Sequence, residues 1–168
     1  MQDNQKVLIK NLTNHSVGFG CKNFPNSFDF NAGQTLSVRW EYLLDATYVP
    51  GLRFLFENSY LKIDPKTENY EEIMEELQLS HLKEKIDNAL SYDEVKRILS
   101  INPLSTQYGV IKKQLKEGTA ATKENFAKAA IELEIKDYTV NEAIEKATGI
   151  NVLNTLKLKA TPKKKEEE

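Results

Sequence analysis

The chain has 168 residues, 29% of them charged and 40% hydrophobic, with a net charge of −2. That balance is ordinary for a folded protein, and it excludes the global basic field that would draw nucleic acid or an anionic membrane. A single cysteine, Cys21, excludes an internal disulfide, and His15 and His81 are the only histidines that metal or nucleophile chemistry could use.

The opening MQDNQKVLIKN lacks the charged-then-apolar order of a leader peptide. No run approaches the ~18 apolar residues of a spanning helix, so no membrane partner is expected. Aromatic residues divide the chain: ten of the 15 Phe, Trp and Tyr lie in residues 1–63, which are nearly neutral. The expected division is a β-rich module over 1–65, a helical domain over 66–158 and a disordered charged tail over 159–168 (KATPKKKEEE). The fold class is therefore α+β.

In the first unit, Lys6 to Leu12 reads as a strand bounded by the turn-rich NLTNHS, and Val17 to Cys21 as a second. CKNFPNS is a loop. Phe28 and Phe30 alternate across Asp29, Asn31-Ala32-Gly33 turns, and Gln34 to Trp40 returns with Leu36, Val38 and Trp40 on one face. This predicts a β-hairpin. Trp40 to Ala46 predicts a short helix. After Pro50-Gly51, Leu52, Leu55, Phe56 and Tyr60 fall at helical spacing and predict a helix plugging a small sheet, with Tyr60 to Ile63 as the last strand.

The second unit predicts short helices. They carry Tyr70, Ile73, Met74 and Leu77, then Leu82, Ile86 and Leu90, then Val95, Ile98 and Leu99 behind a capping box at Ser91 and Glu94. Tyr108, Ile111 and Leu115 follow, closed by Gly118, and then Phe126 to Leu133. Thr139-Val-Asn-Glu142 predicts a second capping box for a helix ending at Gly149, and Asn151 to Leu158 a final helix or strand. Pieces this short are unstable singly and must pack on one another.

Chemical motifs are absent: no Walker loop, no dinucleotide loop, no G-x-S-x-G and no H-E-x-x-H. No catalysis and no metal or cofactor is expected. AIEKATGINVLNTLKLK has the outline of a helix-turn-helix, but Glu145 stands where that motif needs a small residue, and Lys157 and Lys159 come too late in its second helix. Lys112, Lys113 and Lys116 form the better basic patch, with Glu117 and Glu124 nearby. Phe24, Phe28, Tyr42, Arg53 and Phe54 fit the apolar faces least well and are the candidate partner contacts.

VLIKNLTNHSVGF followed by FDFNAGQTLSVRWEYLLDATYVPGLRFLFENSYLKI resembles a group of short tailed-bacteriophage proteins. Their pattern runs V-K-N-L-S-x-x-x-V-G-Y, F-x-P-G-E, E-E-L-x-x-L-S-Y and P-G-G-x-x-L-L-x-x-Y-L-x-I. Asn11, Leu12, Val17 and Gly18 match the first block, Phe30 and Gly33 the second, and Glu41, Leu44 and Tyr48 the third. Pro50, Gly51, Leu55, Tyr60, Leu61 and Ile63 match the last. DEVKRIL and AIEKATGINV are similar to that group's helical half, so the resemblance spans roughly residues 6–155. Ala32 and Leu52 depart from it, replacing a proline and a glycine.

The resemblance implies a structural or head-assembly component, found in the virion and in the host cytoplasm during assembly. Its partners would be phage structural proteins: capsid, portal or connector. A β-module with free edges can add strands to a partner, and its neutral, aromatic surface suits an interface core. The alternative is a regulator binding a host or phage protein, or weakly contacting nucleic acid, through its helical half.

Overall fold

The computed structural model describes residues 4–160. The fold is α+β: small antiparallel sheets at the N-terminal end, then a set of helices. β1 (Lys6–Asn11) is the centre of a three-stranded sheet, between β4 (Thr35–Arg39) and β5 (Leu61–Ile63). β2 (Val17–Gly20) and β3 (Ser27–Phe30) pair with each other as a separate ribbon. Alternation sets the faces. Val7 and Ile9 of β1, Val38 of β4 and Leu61 and Ile63 of β5 all point into one core.

The expected hairpin between β3 and β4 does not form; β4 pairs with β1 instead. The turn at Asn31 to Gln34 is present, with the Gln34 N–H donating to the Asn31 carbonyl (3.0 Å). Asn11 stands between the two strands. Its side chain is fully buried, and its Nδ2 donates to the carbonyls of Phe30 (3.1 Å), Asn31 (3.1 Å) and His15 (2.7 Å). Its own N–H donates to the Gln34 carbonyl (2.9 Å). The end of β1 thus takes up the carbonyls around the turn, and the chain passes from one sheet to the other.

Two helices cover this sheet: α1 (Trp40–Ala46) and α2 (Leu52–Glu57). Three strands need a helical layer to bury their apolar face, and α3 (Tyr70–Glu76) and α4 (Lys83–Asp87) extend it. Ile73, Met74, Leu79 and Ile86 lie in the same core as Val7 and Phe30. The cores therefore do not divide at residue 65. Asp64 still extends the β5 ladder through its N–H to the Leu8 carbonyl (2.8 Å), and the first core runs on through Ile86.

The second core belongs to α5 (Tyr92–Leu99), α6 (Tyr108–Glu117), α7 (Ala120–Glu132), α8 (Tyr138–Thr148) and α9 (Val152–Ala160). Phe126 is fully buried among Val95, Ile144 and Val152, and Ala127, Ala129 and Ala130 let neighbours approach α7 closely. Asn151 to Leu158 is helix rather than strand. Lys159 and Ala160, assigned by sequence to a disordered tail, end α9, and the rest of that tail lies outside the described residues. Gly118 stops α6 as expected, but in an extended conformation. A Cβ there would sit 2.4 Å from the Gln114 carbonyl oxygen, so close approach, not a left-handed turn, requires glycine.

Candidate docking surface

The loop between β2 and β3 carries Asn, Pro and Asn at residues 23, 25 and 26, and the amides of Lys22 and Asn23 find no partner within it. One carboxylate does so from outside. Asp45 Oδ2 accepts the N–H of Lys22 (2.6 Å) and of Asn23 (2.8 Å), and Oδ1 accepts Asn23 Nδ2 (2.5 Å). Burial works against the charge on Asp45, but the hydrogen bonds from Asn23 and Lys22 outweigh it and hold the carboxyl below its ordinary pKa. The loop is thereby latched onto α1.

The latch sets Phe24 edge-on to Tyr42, with ring centroids 5.0 Å apart and planes at 76°. Phe28 lies 5.9 Å from Tyr42 and 5.4 Å from Phe19, which lies 5.9 Å from the fully buried Phe30. A row of rings therefore runs from the core to the surface, ending at Phe24, 38% exposed. The Arg39 guanidinium lies over the Tyr42 ring at 5.9 Å and pairs with Glu41 at 3.3 Å. An aromatic row with one planar cation suits the centre of a protein interface.

Three of the five expected contacts, Phe24, Phe28 and Tyr42, meet in this row. Arg53 and Phe54 do not join it. Arg53 is engaged by Glu57 (2.5 Å) and Gln78 (3.1 Å). Phe54, 56% exposed, stacks on Tyr60 at 5.8 Å. Sequence reasoning missed Arg39, Leu44 and Tyr48. Tyr48 is 67% exposed, and the ammonium of Lys22, whose N–H is part of the latch, lies 5.5 Å from its ring centroid. The i, i+4 spacing of Leu44 and Tyr48, off the line of buried Leu43 and Ala46, is the signal for it.

Lys112, Lys113 and Lys116 are exposed on α6. Lys113 shares a depression of about 460 Å³ with Lys85, Glu84 and Glu117, so two carboxylates answer two ammonium groups there. This is a weak field for phosphate. Cys21 Sγ contacts the Tyr42 carbonyl at 3.5 Å; burial, and then the charge of Asp45, push its thiol pKa up, away from reactivity. His15 faces Lys128 (3.1 Å), and burial followed by that charge lowers its pKa.

Where the sheet meets the helices, Asp87 accepts from Tyr70 (2.6 Å) and Lys83 (2.8 Å), and its carbonyl accepts from Lys62 (2.7 Å). This network ties β5 to α3 and α4. Among the described residues, no three His, Cys, Asp or Glu are grouped to hold a metal ion, and no helix is long and apolar enough to cross a membrane. The chain matches no family model, no curated protein and no solved structure.

Proposed function

We propose that this chain is a non-catalytic component of a tailed-bacteriophage particle. It docks on a virion lattice of capsid, portal or connector protein, and passes through the host cytoplasm during assembly. The observation that carries the reading is the aromatic row of Phe28, Tyr42 and Phe24 with Arg39 across it, held at the surface by the Asp45 latch. The phage-like pattern over roughly residues 6–155 supplies the class of partner. Regulation through the helical half has less support, because Glu84 and Glu117 neutralise the depression beside Lys113.

Mass spectrometry of particles purified from the phage that encodes the chain tests this. A stoichiometric virion band is expected, lost when Tyr42→Ala and Phe24→Asp are combined. Abundance in infected-cell extracts with absence from particles would overturn the reading.

A further inference from the structure

A groove of about 370 Å³ separates β2 from α2. Gly18, Phe19 and Gly20 line one side, and residues 49–55, Arg53 excepted, line the other. Gly18 and Gly20 carry no side chains, so what β2 offers the groove there is strand backbone. The hydrogen-bond register agrees. The Cys21 N–H donates to the Asn26 carbonyl (3.0 Å), continuing the ladder in which Phe19 opposes Phe28 and Val17 opposes Phe30.

In an antiparallel pair the bonded and non-bonded positions alternate, so the peptide groups of Gly18 and Gly20 point away from β3. Neither has a hydrogen-bond partner among the described residues. The strand, VGFG, carries none of the lysines, prolines or inward charges that blunt a free edge. At Gly18 a Cβ would lie 2.8 Å from the Phe28 carbonyl oxygen, so packing requires that glycine; at Gly20 a Cβ would meet nothing within 4 Å.

We propose that this groove receives a short extended segment of another protein. The segment adds to β2 as a third strand and sets an uncharged, apolar side chain against residues 49–55. The edge offers alternating N–H and C=O groups, which an extended backbone complements, and no charged residue lines the groove. The chain's own TPKKKEEE, with six charges in eight residues, is the wrong chemistry for it. A second copy does not fit: its β2 brings β3 on one edge and its own 49–55 wall on the other, so it cannot enter a slot walled on both sides. The occupant is a linear segment unpaired on both edges. The groove shares Phe19 with the inner end of the row of rings but not Phe24, Phe28 or Tyr42, and peptide binding tests it whether or not the chain is found in particles.

The probe is a set of linear peptides of about twelve residues, selected from a random display library on the full chain and measured by fluorescence anisotropy. Recovered peptides are expected to share an uncharged β-branched or aromatic core. Gly20→Pro removes one outward N–H without touching the ladder to β3 and is expected to weaken binding about tenfold or more; Gly20→Ala changes it less than about twofold. Phe54→Lys, in the wall, also weakens it, and bound peptide slows amide exchange at Gly18 and Gly20. Should Gly20→Pro unfold the module, Phe54→Lys and the exchange measurement decide. Recovery of no peptide, charged cores, or binding that survives Gly20→Pro and is lost in Tyr42→Ala would each overturn the proposal.

Discussion

Asp45 is 8% exposed and remains charged because the Lys22 and Asn23 amides point at it. Helical periodicity puts this residue on the polar side of α1, and nothing local announces that a loop more than twenty residues earlier needs a carboxylate. CKNFPNS is readable as a loop; its anchor is not, because the pairing exists only after β2 and β3 fold beside α1. The sign of its pH effect follows from its lowered folded pKa. The unfolded chain binds the proton first as pH falls, so the stabilisation is complete above the ordinary carboxylate value near ~3.9 and disappears as pH falls through the folded value. Asp45→Asn mimics the protonated group. Thermal melts of the two proteins are expected to differ by a few degrees near about pH 6 and to draw together as pH falls below about 3.9. A constant gap across that range would remove Asp45 as the titrating latch.

The start of α5 was legible because both of its capping groups are neighbours in sequence. Ser91 and Glu94 form the predicted box: the Glu94 carboxylate accepts the Ser91 N–H (2.7 Å), and the Ser91 side chain accepts the Glu94 N–H. The second predicted box fails by two residues. α8 begins at Tyr138, and its cap is Asp137, whose Oδ1 accepts the Val140 N–H (3.1 Å) while its other oxygen accepts the Tyr108 hydroxyl. T-V-N-E has the right letters, but Asp137 caps at least as well as threonine and starts the helix earlier. Asp137→Ala is therefore expected to cost about 1 kcal/mol in urea unfolding. Thr139→Ala, now inside the first turn and exposed, should stay within about 0.5 kcal/mol. The reverse order would restore the box at Thr139. The hairpin failed for a different reason: turn chemistry predicts a reversal but not which strands it joins, and the intruding donor, Asn11, lies twenty residues before the turn.

Composition divides the molecule into an aromatic β part and a helical part, and the α+β class follows from it. Periodicity shows which face of a helix is apolar but not which core it covers, and α3 and α4, within the expected helical unit, cover the first core. The two cores meet along α7. Asn125 Nδ2 donates to the carbonyls of Leu12 (2.9 Å) and Leu90 (3.2 Å), Thr122 Oγ1 accepts the Leu90 N–H (3.0 Å), and the Ala121 N–H reaches Asn58 (3.1 Å). Asn125 is 1% exposed and bridges the two cores. The Leu12 carbonyl keeps the Tyr92 N–H (2.8 Å), which leaves the Leu90 carbonyl as the group that loses its donor. Losing this half-buried hydrogen bond costs about 0.5–1.5 kcal/mol, and here the cost falls on the contact that makes the two cores unfold together. Trp40 fluorescence follows the first core, and far-ultraviolet circular dichroism is dominated by the helices of the second. In the parent protein the two signals should give one coincident urea transition. In Asn125→Ala they should separate, with a shallower slope for each. Two signals that stay coincident while both midpoints fall would show that the other α7 contacts are enough to couple the halves.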